Sequence, residues 1–373
     1  MHHFSRQLRI FLMFSSIVQI VTLLLGLSAA LSAEQPTRPI VWTDASASRR
    51  LLPPRFPNWH LNDHAIFRAD DGTWHLFSIA AKNPDPDRSE SRNMSDREKA
   101  VSLEAQRQHP FLDHAYSRSL TDGWTYSGGE NWYTSESLFH DASPPGQQYL
   151  MWAPHVVKTA QQISGTSAPL YHMFYAGGGS DVAHFEIVHR TSSDLQHWSP
   201  RADAFPPGQD GIQARDPMVL YLSDSKLWAI YYTGTDALPR GHHVVFWRTS
   251  PNLADGSWSA PQIAYQDTHI GRGFGPTESP FVLKRGAYFY LFIGPRPYDP
   301  PGALPNWRHP GYVGTDVFRS KDWRHWADSD FVGHLPVHAA EVIQDLDGEL
   351  YVSSAGIEQG GLYLLPLFFD DGQ

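Results

Sequence analysis

A five-residue motif returns along the chain at intervals of about sixty residues. The copies align on their final valines, which are 63, 63 and 60 residues apart. They read Trp152-Ala-Pro-His-Val156, Arg215-Asp-Pro-Met-Val219, Glu278-Ser-Pro-Phe-Val282 and His338-Ala-Ala-Glu-Val342. A related segment, Asn62-Asp-His-Ala-Ile66, lies 90 residues earlier, and a polar insertion at 84–110 accounts for the extra length. Self-similarity at a fixed period is typical of solenoids and propellers, in which each repeat is one supersecondary unit.

Each unit continues with the pattern of a β-hairpin. A β-rich run, a turn signal and a second run of aromatic and β-branched residues follow the motif, as in Asp224-Ser-Lys226 before Leu227-Trp-Ala-Ile-Tyr-Tyr232. Five four-stranded units that close radially make a five-bladed β-propeller, so the predicted fold class is all-β. The last unit ends early, and we expect residues 39–42 to supply its missing strand and close the ring. The competing fold, an all-β sandwich, would show closer turns and no sixty-residue period.

Aromatic residues are abundant, with 13 Trp, 16 Tyr and 20 Phe. Four units close with a tryptophan at the same place, namely Trp124, Trp198, Trp258 and Trp326. This recurrence predicts that these rings pack between neighbouring blades. Aromatic faces also stack on sugar rings, so the composition suits a carbohydrate ligand.

The absence of cysteine and the net charge of −10 exclude several classes of function. Without cysteine there are no disulfides, no thiolate metal site and no cysteine nucleophile. A nucleic-acid-binding surface needs an excess of Lys and Arg, which this chain lacks. We therefore expect no nucleic-acid partner, and no feature of the sequence predicts a protein partner.

The N-terminal residues differ in composition from the rest of the chain. Arg6 and Arg9 precede an apolar run from Ile10 to about Leu27, and small residues follow. This pattern predicts a signal peptide over 1–33, a single propeller domain over 34–373 and a secreted or periplasmic protein without a membrane contact after cleavage. An uncleaved membrane anchor is the alternative, because the apolar run approaches the length of about 18 residues that makes spanning possible.

Residues at equivalent places in successive repeats converge on the channel of a propeller, because the inner strand of every blade runs along it. The carboxylates that meet in this way are Asp63, Asp216 and Glu278. Crowded carboxylates repel and desolvate one another, a cost that a purely structural core would avoid. Glycoside cleavage needs such crowding, since one carboxyl must stay protonated for the leaving oxygen while another stays ionised. For Asp63 taken alone, a turn or cap residue is the structural alternative.

The ordered motifs resemble the five-bladed β-propeller glycoside hydrolases of families 43, 32 and 68, which include arabinanases, xylosidases and fructosidases. The resemblance covers nearly the whole chain after residue 33 and rests on Trp59-His-Leu-Asn-Asp63, Trp152-Ala-Pro-His155, Arg215-Asp-Pro217 and Glu278-Ser-Pro280. It implies hydrolysis of O-glycosidic bonds in furanosides or related sugars such as arabinan, xylan side chains or fructans. It also implies that Asp63 is the nucleophile or general base, that Asp216 stabilises the transition state or tunes the acid, and that Glu278 is the general acid.

The motifs depart from the fructosidase pattern at two places. Asn62-Asp-His64 stands where fructosidases have Asn-Asp-Pro, and Glu278-Ser279 stands where they have Glu-Cys, whereas Arg215-Asp-Pro217 is fructosidase-like. Fructosidases retain the anomeric configuration and family 43 enzymes invert it. A carboxyl separation of about 5 to 5.5 Å favours retention, and one of about 6.5 to 9.5 Å favours inversion.

Further residues at or near the channel are predicted to bind substrate: Asn62, Trp59, His155, Arg215, Trp152, Phe274, His338 and Glu341. Packing between blades is the alternative role for the tryptophans, and pairing with Asp216 is the alternative for Arg215. No zinc-like spacing appears and no cofactor is required, although the resemblance allows a structural calcium on the channel axis near His338.

Other functional classes stay open at this point. A carbohydrate-binding propeller without catalysis would use the same pocket but would not need repelling carboxylates. A glycoside phosphorylase of the related fold would need cations in the channel to hold phosphate.

Overall fold

The computed structural model describes residues 40–57, 59–82, 111–127, 139–140, 150–163, 166–178, 185–206, 214–235, 243–267, 277–296, 314–356, 359–370 and 372. The signal peptide predicted over 1–33, the insertion at 84–110 and the candidate Phe274 lie outside these residues. From Ile40 on, the described residues belong to one compact unit.

Five antiparallel sheets form the blades of an all-β propeller, as predicted. The N-terminal strands are β1 (Val41–Thr43) and β2 (Arg49–Leu52), with a 3-10 helix at Ala45–Ala47 between them. Blade one contains β3 (Trp59–Arg68), β4 (Trp74–Lys82), β5 (Phe111–Ser117), β6 (Thr125–Tyr126) and β7 (Phe139–His140). Blade two contains β8 (Leu150–Ile163), β9 (Thr166–Gly178), β10 (Glu186–Ser192) and β11 (Ala202–Asp203).

The remaining three blades follow in chain order. Blade three contains β12 (Arg215–Leu222), β13 (Leu227–Thr235), β14 (His243–Ser250) and β15 (Gln262–Gln266). Blade four contains β16 (Glu278–Arg285), β17 (Tyr288–Gly294), β18 (Thr315–Ser320) and β19 (Phe331–Leu335), with a 3-10 helix at Asp328–Asp330. Blade five contains β20 (Val342–Gln344), β21 (Leu350–Ser354) and β22 (Leu362–Phe369).

The N-terminal strand closes the ring, which confirms the prediction. Strand β1 pairs antiparallel with β22, placing Trp42 opposite Phe368, and β2 adds to the other half of β22. The backbone N–H of Ile40 donates to the carbonyl of Val332 on β19 at 3.0 Å. Gly333 allows this approach, because a Cβ there would lie 2.3 Å from the carbonyl oxygen of Val41. The N-terminal segment therefore joins blade four to blade five.

The terminal tryptophans pack between blades, also as predicted. Trp198 of blade two meets Phe77 of blade one edge to face at 5.8 Å, and Trp258 of blade three meets Phe174 of blade two at the same distance. Trp326 repeats the contact with Tyr231 at 5.9 Å. Trp124 of blade one packs against an apolar cluster that includes residues of blade five, such as Ile343 and Leu364. Edge-to-face aromatic pairs contribute about 0.5–1.5 kcal/mol each beyond their burial, so the repeat stabilises the ring at each junction.

No helix in the described part of the chain combines the length and apolar character that crossing a membrane requires.

Candidate active site

The aligned motifs form a set of backbone bulges around the channel. Pairing between the first two strands shifts register within the motif in blades two, three and four, and at the corresponding place in blade one. The second residue of the motif has a left-handed backbone in blades two to five, with φ of 47° at Ala153, 55° at Asp216, 52° at Ser279 and 52° at Ala339. A non-glycine residue in this conformation costs about 1–3 kcal/mol, and such strain is concentrated at functional sites. The bulges turn the motif side chains out of the regular alternation of a strand.

Ser279 links two of the predicted catalytic carboxylates. Its hydroxyl donates a hydrogen bond to Oδ1 of Asp63. Its backbone N–H donates to Oδ2 of Asp216 at 3.0 Å. Glu278 directly precedes Ser279, so the three acidic residues predicted from blades one, three and four lie around one residue of blade four.

Asp216 occupies an environment that favours its protonated form. Burial raises the pKa of this carboxyl, and the negative charge of Asp63 raises it further. The Arg215 guanidinium, the Ser279 N–H and the Thr233 hydroxyl act in the opposite direction and lower the pKa. The Thr233 hydroxyl lies 3.2 Å from Oδ2 of Asp216. Burial is the largest of these effects, so the carboxyl binds its proton more tightly than an exposed aspartate does.

Arg215 contacts Glu278, the predicted general acid. The Nη2 atom of Arg215 lies 3.0 Å from Oε1 of Glu278, and its Nε lies 3.8 Å from Oδ2 of Asp216. Both side chains of the Arg215–Glu278 pair are largely buried, at 12% and 14% exposure. The guanidinium favours the ionised form of the glutamate it touches. In this geometry Arg215 partners both carboxylates, and substrate binding by Arg215 stays a prediction.

A cavity of about 30 Å³ lies among the bulges, lined by Asp63, His155, Asp216, Ser279 and Glu341 among others. Glu341 and His155 connect four blades beside it. Oε2 of Glu341 accepts a hydrogen bond from the N–H of Ile66 at 2.9 Å, and Oε1 lies 3.4 Å from Nδ1 of His155. The other ring nitrogen of His155 donates to the carbonyl of Val219 at 3.2 Å. These contacts hold the inner strands together, and substrate binding by either residue stays a prediction.

Two buried histidines lie near the axis. Burial lowers the pKa of His64, and it lowers the pKa of His338 to about 4. Both rings are therefore neutral near neutral pH. Nδ1 of His64 donates to the carbonyl of Asn62 at 3.1 Å, so Nε2 of the neutral ring accepts from the Ser353 hydroxyl at 2.7 Å. The backbone N–H of His338 donates to the Ser354 hydroxyl at 3.0 Å.

The structural calcium that the resemblance allows near His338 stays a prediction. Calcium takes about six to eight oxygen ligands. Among the described residues, no group of three or more histidines and carboxylates is arranged to hold a metal ion. No step of the proposed chemistry is assigned to a metal.

The other predicted binding residues have different surroundings. Trp59 packs edge to face on Phe56 at 5.3 Å, and Trp152 contacts Phe185 at 4.8 Å. Oδ1 of Asn62 is buried without a hydrogen-bond partner within the described residues. A buried unsatisfied acceptor costs about 1–3 kcal/mol, so Asn62 favours a donor hydroxyl from water or ligand at this position.

Two residues of the site were not selected from the sequence, Thr233 and Ser279. Thr233 lies opposite Arg215 in the β12–β13 hairpin, so aligning the returning strands as well as the inner strands would have found it. Ser279 was noted as a difference from the fructosidases, but its contacts depend on the bulge.

Solved structures of glycoside hydrolases share this fold. A thermostable family-43 glycoside hydrolase superposes with a TM-score of 0.53 over 87% of this chain and 94% of that one, at 14% identity. The catalytic domain of a Coprinopsis cinerea GH62 α-L-arabinofuranosidase gives 0.54 over 88% and 96%, at 14% identity. An endo-arabinase from Bacteroides thetaiotaomicron gives 0.54 over 87% and 99%, at 13% identity. No protein-family model and no curated protein sequence matches the chain.

Proposed function

We propose that this protein is a glycoside hydrolase that cleaves O-glycosidic bonds of furanosides or related sugars. The observation that carries the proposal is the meeting of Asp63, Asp216 and Glu278 around Ser279 at one end of the channel. A carbohydrate-binding propeller has no need of buried, mutually repelling carboxylates in its pocket. The fold shared with an α-L-arabinofuranosidase and an endo-arabinase supports arabinosides as the first substrates to test.

The proposed reaction divides its work among the three carboxyl groups. Glu278 gives its proton to the leaving oxygen as the glycosidic C–O bond breaks. Asp63, held through Oδ1 by Ser279, acts on the anomeric carbon, either as the base that takes a proton from an attacking water or as the nucleophile itself. Asp216 binds its proton tightly and so adds less negative charge to the crowded site than a third ionised carboxylate would.

Arg215 makes the protonation of Glu278 depend on the substrate. The ion pair favours the ionised acid in the free protein, whereas catalysis requires the protonated acid. A sugar hydroxyl that accepts a hydrogen bond from Arg215 would weaken the pair and allow Glu278 to take up a proton. This role unites the predicted binding function of Arg215 with the observed contact.

The activity test uses the purified protein with aryl arabinofuranosides, aryl xylosides, arabinan, xylan and fructans. We expect turnover of at least one of these, and a loss of about 10³-fold or more in Asp63→Ala, in which the base or nucleophile is missing. Asp224→Asn is the matched control, because Asp224 is an exposed aspartate that pairs with Lys284. Binding without turnover would instead indicate a carbohydrate-binding protein, and turnover only with added phosphate would indicate a phosphorylase.

The stereochemical course is read separately by proton NMR of the first sugar released. An inverted anomer would assign Asp63 as a base acting on water, and a retained anomer would assign it as the nucleophile.

We also propose that residues 1–33 direct export of the protein. Sequencing the N-terminus of protein collected outside the cytoplasm tests this proposal. A start after Ala30 or Ala33 would support a cleaved signal peptide, and an intact N-terminus in the membrane fraction would support an anchor.

A further inference from the structure

We infer that Ser279 is a positioning residue that holds and orients the Asp63 carboxylate for the reaction. This inference rests on the proposed glycosidase function and adds to it a residue outside the carboxylate triad. The hydroxyl of Ser279 donates to Oδ1 of Asp63 while its backbone N–H donates to Oδ2 of Asp216. One residue of blade four therefore sets the relative position of side chains from blades one and three.

The backbone of the bulge does not by itself require a serine. Ala153 and Ala339 occupy the equivalent position in blades two and five with φ of 47° and 52°, close to the 52° of Ser279. Alanine therefore adopts the same left-handed conformation twice in this propeller. The bulge therefore does not explain the hydroxyl of Ser279, which forms the hydrogen bond with Asp63. The bulge sets the direction in which that hydroxyl points.

The two donors of Ser279 act on chemically different carboxyls. Asp216 is buried, at 7% exposure, and keeps its proton more tightly than an exposed aspartate. Asp63 is only partly buried and must be ionised to act as base or nucleophile. A hydroxyl donor stabilises a carboxylate more than a neutral carboxyl group, and such charge-assisted bonds are about twice as strong as neutral ones. By engaging Oδ1, Ser279 also fixes the orientation of the carboxylate plane.

The variants Ser279→Ala and Ser279→Gly both remove the hydroxyl and keep the backbone N–H. If the hydroxyl matters, kcat/KM at neutral pH falls about tenfold in both, as expected for the loss of about 1.4 kcal/mol of transition-state stabilisation. The loss then falls mainly on kcat, with KM within about twofold of wild type, because the hydroxyl orients the base or nucleophile and does not bind the sugar. Ser279→Cys retains a weak donor, so its kcat/KM lies between the values of the wild type and of Ser279→Ala. Ala339→Gly is the matched control for relaxing the left-handed backbone, and it leaves kcat and KM unchanged.

A double-mutant cycle on thermal stability tests the contact without relying on turnover. We expect Ser279→Ala to lower Tm by about 2 °C in the wild-type background and by less in the Asp63→Ala background, since the hydroxyl has then no carboxylate to bind. Equal shifts in both backgrounds would overturn the inference.

The kinetic outcomes separate the inference from the function on which it rests. An active wild type with unchanged kcat and KM in Ser279→Ala would overturn the positioning role alone. Recovery of activity in the glycine variant but not in the alanine variant would overturn it as well, by assigning the loss to backbone strain. No turnover by the wild type on the whole substrate panel would overturn the proposed function and the positioning role together.

Discussion

Arg215 and Glu278 begin the inner strands of neighbouring blades and form an ion pair, with 3.0 Å between Nη2 and Oε1. Replacing Arg215 with glutamine removes the charge that favours the ionised acid. We expect the alkaline limb of the pH profile of kcat/KM, which reports loss of the acid's proton, to move to higher pH. The pKa of Asp216 rises further, because Arg215 lowers it in the wild type.

The same variant loses affinity if Arg215 also binds a sugar hydroxyl. We expect kcat/KM at neutral pH to fall about 10- to 100-fold, equivalent to about 1.4–2.7 kcal/mol, mainly through KM. Arg118→Gln is the matched control, since that arginine is 75% exposed and remote in sequence from the motifs. An unchanged alkaline limb in Arg215→Gln would show that the pair does not control Glu278.

A chain of polar side chains between blades two and three makes stability depend on pH. Nδ1 of His189 lies 2.7 Å from Asp255, its Nε2 lies 2.9 Å from Nδ1 of His172, and Thr159 lies 3.1 Å from Nε2 of His172. The ionised Asp255 only accepts, so Nδ1 of His189 donates to it. Nε2 of His189 then accepts from Nδ1 of His172, and Nε2 of His172 accepts from the Thr159 hydroxyl, which leaves His172 neutral. Burial accordingly lowers the pKa of His172 to about 4.

As pH falls, the unfolded chain takes up a proton at this histidine first, because the ordinary histidine pKa of 6.5 lies above the folded-state pKa. The contribution of His172 to the free energy of unfolding therefore decreases from about pH 6.5 downward and levels off below about pH 4. Urea unfolding at pH 7.5, 6 and 5 measures this decrease, and His172→Gln reduces it, whereas His325→Gln on the exposed surface does not. If the free energy of unfolding decreased with falling pH as steeply in His172→Gln as in the wild type, the attribution of this decrease to His172 would be wrong.

Ring closure depends on the missing side chain of Gly333. A Cβ at this position would lie 2.3 Å from the carbonyl oxygen of Val41 and 3.2 Å from its carbonyl carbon. Both atoms belong to the backbone, which cannot rotate away as a side chain can. We expect Gly333→Ala to cost about 2 kcal/mol or more, in the range of overpacked cores. Differential scanning calorimetry checks this value. Gly348→Ala, which meets no atom within 4 Å and is strained only by its φ of 91°, provides the comparison and is expected to cost less.

The repeat in the sequence predicted the fold because each motif marks the start of an inner strand, and its period counts blades. It also predicted which acidic residues meet, since equivalent positions in a propeller converge on the axis. The contacts of Ser279 and the pair between Arg215 and Glu278 were not predicted. Both depend on the direction in which a left-handed bulge turns its side chains, and that direction is invisible in a pattern of residue types.

The roles of Trp59 and Trp152 show a second limit of sequence patterns. An aromatic residue beside a predicted site serves equally well for stacking on a sugar and for packing. The structure places each of them against a phenylalanine, and the pattern of residues alone had left both roles open. What distinguishes these roles is how far the aromatic side chain is buried and which side chains it contacts. Both depend on residues that are distant in the sequence.

The central claim is tested most directly by measuring how the kcat/KM of Glu278→Gln depends on the leaving group of the substrate. If Glu278 protonates the leaving oxygen, the variant loses about 10²–10⁴-fold in kcat/KM on a natural oligosaccharide, whose leaving group needs the proton. On a dinitrophenyl glycoside, whose leaving group departs without protonation, the same variant should retain activity within about tenfold of wild type. Equal losses on both substrates would contradict the assignment of Glu278 as the acid and, with it, the account of this channel as a glycosidase site.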